Sequence, residues 1–149
     1  MTGTTNRDDR DDLAGRVTAA VADHDPHMRA AVRLVSGSLL LGKIGGYVEQ
    51  DGWIEWDRLT GDLIGGLPWS SGELRVARLA CSLSGQMAYL EDDDQVGNLV
   101  PWTLAELLYG LDDRNRAAVL DAIHYAATGR PIGPLDRTVG RGADRGDRL

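Results

Sequence analysis

The sequence predicts a mainly α protein: a single compact helical domain of about five or six helices, with one small β-hairpin around residues 47–56 and disordered ends. Three observations predict it. Apolar residues recur at helical spacing in several separate stretches. Those stretches are bracketed by residues that start helices (Asp-Pro, Ser-x-x-Glu) and residues that stop them (Gly, Gly-x-Pro). One Asp-Gly pair alone stands between short β-prone segments. Apolar residues make up 42% of 149 residues, enough to bury one core, so the chain as a whole is not a disordered polymer.

Residues 1–11 are expected to be a disordered tail, because small polar residues give way to Arg and Asp without an apolar partner. The helical domain is expected over 12–132. Asp11 or Asp12 caps a first helix whose inner side carries Leu13, Val17, Ala20 and Val21, ending near Asp23. Asp25-Pro26 restarts the chain, with Asp as N-cap and Pro at the first helical position. The second helix places Met28, Ala31, Val32, Val35 and Leu39 on one stripe. Its glycine-rich continuation, Ser36 to Gly46, gives no clear assignment.

Tyr47 to Gln50, then Asp51-Gly52, then Trp53 to Trp56 reads as the hairpin. A two-residue type I′ turn pairs Tyr47 with Trp56 and Glu49 with Ile54. A lone hairpin is marginal in water, so this one must lie on the helices. A short helix from Trp56 to about Ile64 closes at Gly65-Gly66. Ser70-x-x-Glu73 is a capping box opening a helix with Val76, Leu79, Ala80 and Leu83 on one face, stopped at Gly85. After an acidic loop, Pro101 starts a helix through Leu104, Leu107 and Leu108 to Gly110. Asp112 or Asp113 caps the last helix, with Val119, Leu120, Ile123 and Ala127 inward and Gly129-Arg130-Pro131 as its stop. Residues 133–149, rich in Arg, Gly and Asp, are expected to be a second disordered tail.

Charge bounds the partners. The net charge is −7, and no basic stripe crosses the domain, so nucleic-acid binding is not expected. The basic residues number sixteen, of which Lys43 is the one lysine; this bias reads as codon pressure rather than as a phosphate-binding device. Cys81 stands alone, so no intrachain disulfide forms. The N-terminus lacks an apolar segment, and the most apolar run, Leu34 to Val48, is too short and too glycine-broken to span a bilayer. A cytoplasmic setting without membrane contact follows as an expectation.

Gly37-Ser38-Leu39-Leu40-Leu41-Gly42-Lys43 fits the G-x-x-x-x-G-K of a phosphate loop, and Ser70-Ser71-Gly72-Glu73 resembles the signature segment of ABC-type ATPases. Met87 to Asp92 has the apolar-then-acidic character of a magnesium-positioning strand. The chemistry does not follow the spelling. Lys43 is followed by Ile44 where a Ser or Thr hydroxyl must hold Mg²⁺, and bulky leucines fill the loop. The segment before it reads as helix, where the motif needs a strand.

His24 and His27 flank Asp25, with Asp23 before them, but no second ligand pair stands elsewhere. Glu91-Asp92-Asp93-Asp94 is a carboxylate run without the alternate spacing of a calcium loop, and it reads as a solvated acidic loop. Cys81 lies mid-helix beside the apolar face, away in sequence from any histidine, and reads as an inert thiol. No motif names a catalytic residue, a metal or a cofactor.

The four tryptophans, Trp53, Trp56, Trp69 and Trp102, all sit at turns or helix starts, where they either plug the ends of a core without Phe or anchor a partner. The reading adopted is a small acidic, non-enzymatic, regulatory interaction module that binds a protein partner, possibly a basic one, or itself. Its contact surface is expected at Trp53, Ile54, Glu55, Trp56 and Asp57, extended by Glu91, Asp92, Asp93 and Asp94. Two alternatives stand beside it. One is a metal-dependent enzyme using the clustered carboxylates with His24 and His27. The other is a nucleic-acid-associated helical module acting through its Arg-rich C-terminal tail.

Overall fold

The computed structural model describes residues 5–85, 90–92, 95–97 and 102–133. Among these the chain is mainly helical, with seven α-helices. The hub is α2 (Pro26–Gly37). It buries Met28, Ala30, Ala31, Val32, Leu34 and Val35, which face its neighbours on more than one side. Each large side chain among them contributes roughly 1.5–3 kcal/mol when fully buried. Helix α2 packs chiefly against α5 (Ser71–Ser84) and α7 (Asp113–Thr128), and less extensively against α1 (Thr5–Ala20). Pro26 opens α2 as expected, but Asp25 makes no side-chain capping bond there.

Helix α1 starts at Thr5, inside the stretch expected to be a tail. Two arginines hold its polar side: Arg10 donates to the Ser38 carbonyl at 2.7 Å, and Arg16 to the Glu49 carbonyl at 3.2 Å. Val17 and Val21 enter the core, with Leu13 packed beside them. The glycine-rich stretch after α2 is helical as well. Leu40, Leu41 and Ile44 are buried around the one-turn α3 (Leu41–Ile44), which runs into a 3₁₀ turn, Gly45–Tyr47. Leu39 is 57% exposed, because α2 has already ended at Gly37 and the stripe that would have buried Leu39 no longer continues.

The predicted hairpin over residues 47–56 is not formed as paired strands. A single antiparallel bridge, Val48 to Ile54, stands in its place. Glu49 N–H donates to the Trp53 carbonyl at 2.8 Å, and Glu55 N–H to the Tyr47 carbonyl at 2.8 Å. The register is therefore one residue away from the expected one. The cause is the turn: Gly52 N–H bonds the Glu49 carbonyl, and within the turn only Gly52 has positive φ, at 90°. That is a three-residue loop ending in a positive-φ glycine, not a two-residue type I′ turn with two positive φ values. In this register Ile54 and Trp56, two residues apart on one side of the segment, lie in the core.

Helix α4 (Trp56–Gly65) buries Trp56, Leu59, Thr60 and Leu63 and packs on α5. Helix α5 has the full capping box: Ser70 Oγ accepts from Glu73 N–H, and Glu73 Oε2 accepts from Ser70 N–H at 2.8 Å. Gly85 ends it in the left-handed region. The acidic segment expected as a loop contains a short antiparallel pair, β1 (Leu90–Asp92) and β2 (Gln95–Gly97), with Glu91 opposite Val96. Helix α6 (Leu104–Leu108) is capped by Thr103 in a second capping box, with Glu106. The start expected at Pro101 lies outside the described residues. Asp112 caps α7 through Asn115 N–H, and Gly129 closes it. The inward face of α7 is Val119 and Ala122, while Leu120 is 53% exposed and Ala127 is exposed too. Among the described residues no helix is long and apolar enough to cross a membrane.

Candidate functional site

Two concavities hold the polar chemistry worth weighing. The first lies where the sequence placed a contact surface. Glu49, Trp53, Glu55, Trp56, Asp57 and Arg58 line a cleft of about 240 Å³ between the turn and the start of α4. Each wall has a local cause. The bridged turn holds Glu49 and Trp53 opposite each other, and Asp51 Oδ1 accepts from Trp53 N–H at 2.9 Å. Glu55 occupies the N-cap position of α4 and Asp57 its first turn, where carboxylates meet the positive end of the helix dipole. Arg58 is already committed. It donates to Glu55 Oε2 at 2.8 Å and to the Gly46 carbonyl at 3.1 Å, and its guanidinium lies 5.0 Å from the Tyr47 ring centre. The cleft therefore has three carboxylates against one engaged cation. Trp53 is half-buried, its ring tilted 40° against His24 at 5.3 Å.

This arrangement corrects the expected surface in part. Ile54 and Trp56 are each 1% exposed and belong to the core, so neither is an anchor for a partner. Trp53, Glu55 and Asp57 remain at the surface, and Glu49 joins them. Glu49 comes opposite Trp53 only in the three-residue loop, a register that the Asp-Gly pair did not specify. Glu91 and Asp92 lie on β1, and Asp93 and Asp94 fall outside the described residues, as do 134–149 of the tail.

The second concavity was not visible in the sequence. It is a groove of about 730 Å³ where the end of α1 and the outer sides of α2 and α7 meet. Val21, Val32 and Ala118 form its apolar wall, and Arg29, Arg33, Asp121 and Tyr125 its polar one. Arg29 and Arg33, one helical turn apart, both lie over the Tyr125 ring, at 5.8 and 5.3 Å from its centre. Arg33 Nε donates to Asp121 Oδ2 at 2.6 Å. That bond above all holds the Asp121 carboxyl below the usual carboxylate range. Among the described residues Arg29 has no carboxylate partner, and its Nε is closed off from solvent without an acceptor, as is Ser36 Oγ on the same groove.

The other sequence candidates have structural occupations. Gly37–Lys43 follows a helix, not a strand, and Lys43 Nζ donates to Glu73 Oε2 at 2.8 Å. The two ATPase-like segments are thus tied to each other by an ion pair. Lys43 first, then the Ser70 amide, lowers the Glu73 carboxyl. His24 packs tilted against Trp53, whereas His27 lies beside Gly85 at the end of α5. Among the described residues no three His, Cys, Asp or Glu side chains converge as a metal site. Cys81 is 4% exposed, and burial pushes its thiol up to about 11. In comparisons with protein-family models, curated proteins and solved structures, nothing matches this chain.

Proposed function

We propose that this protein is a non-enzymatic interaction module that receives a basic segment of a protein partner in the cleft of Glu49, Trp53, Glu55 and Asp57. The observation that carries the reading is the charge balance of that cleft, three carboxylates around a half-buried indole with its one arginine paired to one of them, Glu55. The helix dipole accounts for Glu55 and Asp57. It does not account for Glu49 and Trp53, which come from the preceding turn. An incoming arginine or lysine finds carboxylates for charge-assisted hydrogen bonds and the Trp53 face for a cation–π contact. The overall charge of −7 steers a basic partner toward the molecule and repels acidic ones. A cytoplasmic setting fits the lone buried thiol.

The test is a fluorescence-anisotropy titration of a short labelled oligo-arginine peptide, with oligo-glutamate as the reference. Trp53→Ala is expected to weaken binding about five- to tenfold, and Glu49→Gln about two- to fivefold, with circular dichroism unchanged. Native-strength binding by both folded variants would remove the cleft from the account.

A further inference from the structure

The groove between α1, α2 and α7 has chemistry that an interaction module for basic segments does not need. We propose that it is a binding site for a small organic acid: one carboxylate on a hydrocarbon body. Its volume of about 730 Å³ falls in the range of small-molecule sites, roughly 300–1,000 Å³.

The polar wall specifies the head. Arg29 and Arg33 converge on one tyrosine ring, two like charges on one face. Asp121 neutralises Arg33. The Arg29 side chain forms no ion pair or hydrogen bond among the described residues, and it lines the groove. What this wall lacks is an acceptor bearing one negative charge. A carboxylate fits a guanidinium fork in shape and charge. A second charge on the ligand would have only Asp121 and the acidic molecule to meet. The apolar wall of Val21, Val32 and Ala118 specifies the body, because those side chains offer no hydrogen bond and gain by excluding water. The site is also a local excess of positive charge on a chain of net charge −7, which favours a small anion in it.

The experiment is isothermal titration of the full-length protein with octanoate, alongside acetate and octanol. Acetate keeps the head and loses the body; octanol keeps the body and loses the charge. The expected result is one equivalent of octanoate, with acetate and octanol each weaker by about tenfold or more. Arg29→Gln is expected to weaken octanoate by about tenfold or more. Ala118→Leu fills the apolar wall without touching a charge, and should weaken it similarly. If Arg29→Gln does not fold, Ala118→Leu and the three-ligand comparison decide. No octanoate binding, octanol binding as tightly as octanoate, several weak equivalents, or full affinity in folded variants would each overturn the proposal.

Discussion

Replacing Trp56 by alanine separates a core tryptophan from a contact tryptophan. Trp56 heads the fully buried side chains at 1% exposure, packed among residues of α4 and its neighbours. Truncating a buried Trp costs about 3–5 kcal/mol, through lost transfer energy and the cavity left behind. A domain of this size holds roughly 5–15 kcal/mol in total. With an unfolding entropy of about 2.1 cal/mol/K per residue, Tm should fall by about 10–16 °C. The indole Nε1 adds a second, opposite quantity. It is buried without a hydrogen-bond partner among the described residues, which costs about 1–3 kcal/mol in the native protein. Trp56→Phe deletes that orphan donor along with part of the ring. Loss of packing and relief of the donor offset, leaving Trp56→Phe within about 1.5 kcal/mol of the parent. Trp53→Ala, at a half-buried ring, should stay within a similar bound. Urea denaturation followed by circular dichroism measures all three. The reasoning fails if Trp56→Ala is no less stable than Trp53→Ala, or if Trp56→Phe is as damaged as Trp56→Ala.

Two further predictions rest on particular atoms. A Cβ at Gly52 would stand 2.4 Å from the Arg16 carbonyl oxygen, at φ 90°, so Gly52→Ala should cost more than about 2 kcal/mol. Gly66, with φ 97° and open space around it, should tolerate alanine for only about 1 kcal/mol, and parallel urea curves distinguish the two. Burial, followed by its hydrogen bond to Asp62 at 2.7 Å, pushes the Tyr47 hydroxyl up to about 12. A folded value above the unfolded one, about 10, means this contribution is intact below pH ~10 and is lost as pH rises toward ~12. Alkaline absorbance titration should show a late tyrosine ionisation, and Tyr47→Phe should remove that step.

The helices were legible where local chemistry alone decides them. Pro26, the Ser70–Glu73 box, Gly85, Asp112 and Gly129 act within one turn of themselves, and each marks a helix boundary in the structure. Thr103-x-x-Glu106 carries the same signal, two residues past the more conspicuous Pro101. Register was not legible. Asp51-Gly52 fits a two-residue or a three-residue turn, and the choice is made by Gly52 lying against the Arg16 backbone, a tertiary contact. Trp56 lies inside and Trp53 is half-buried, a difference of face that the alternation along 53–56 allows but does not assign. Leu39 and Leu120 show the same limit, because a stripe buries a residue only while the helix and its neighbour both continue. The groove was invisible because Arg29 and Arg33 meet Asp121 and Tyr125 from nearly a hundred positions away, and no spacing rule reaches that far.

The most direct test of the interaction reading is a ¹⁵N NMR titration of the full-length protein with the oligo-arginine peptide, repeated at high salt. The account predicts shifts in the Trp53 indole and in the amides of Glu49 to Arg58, weakened by salt, with the Trp56 indole little changed. Shifts confined to other surfaces, or none at all, would contradict it.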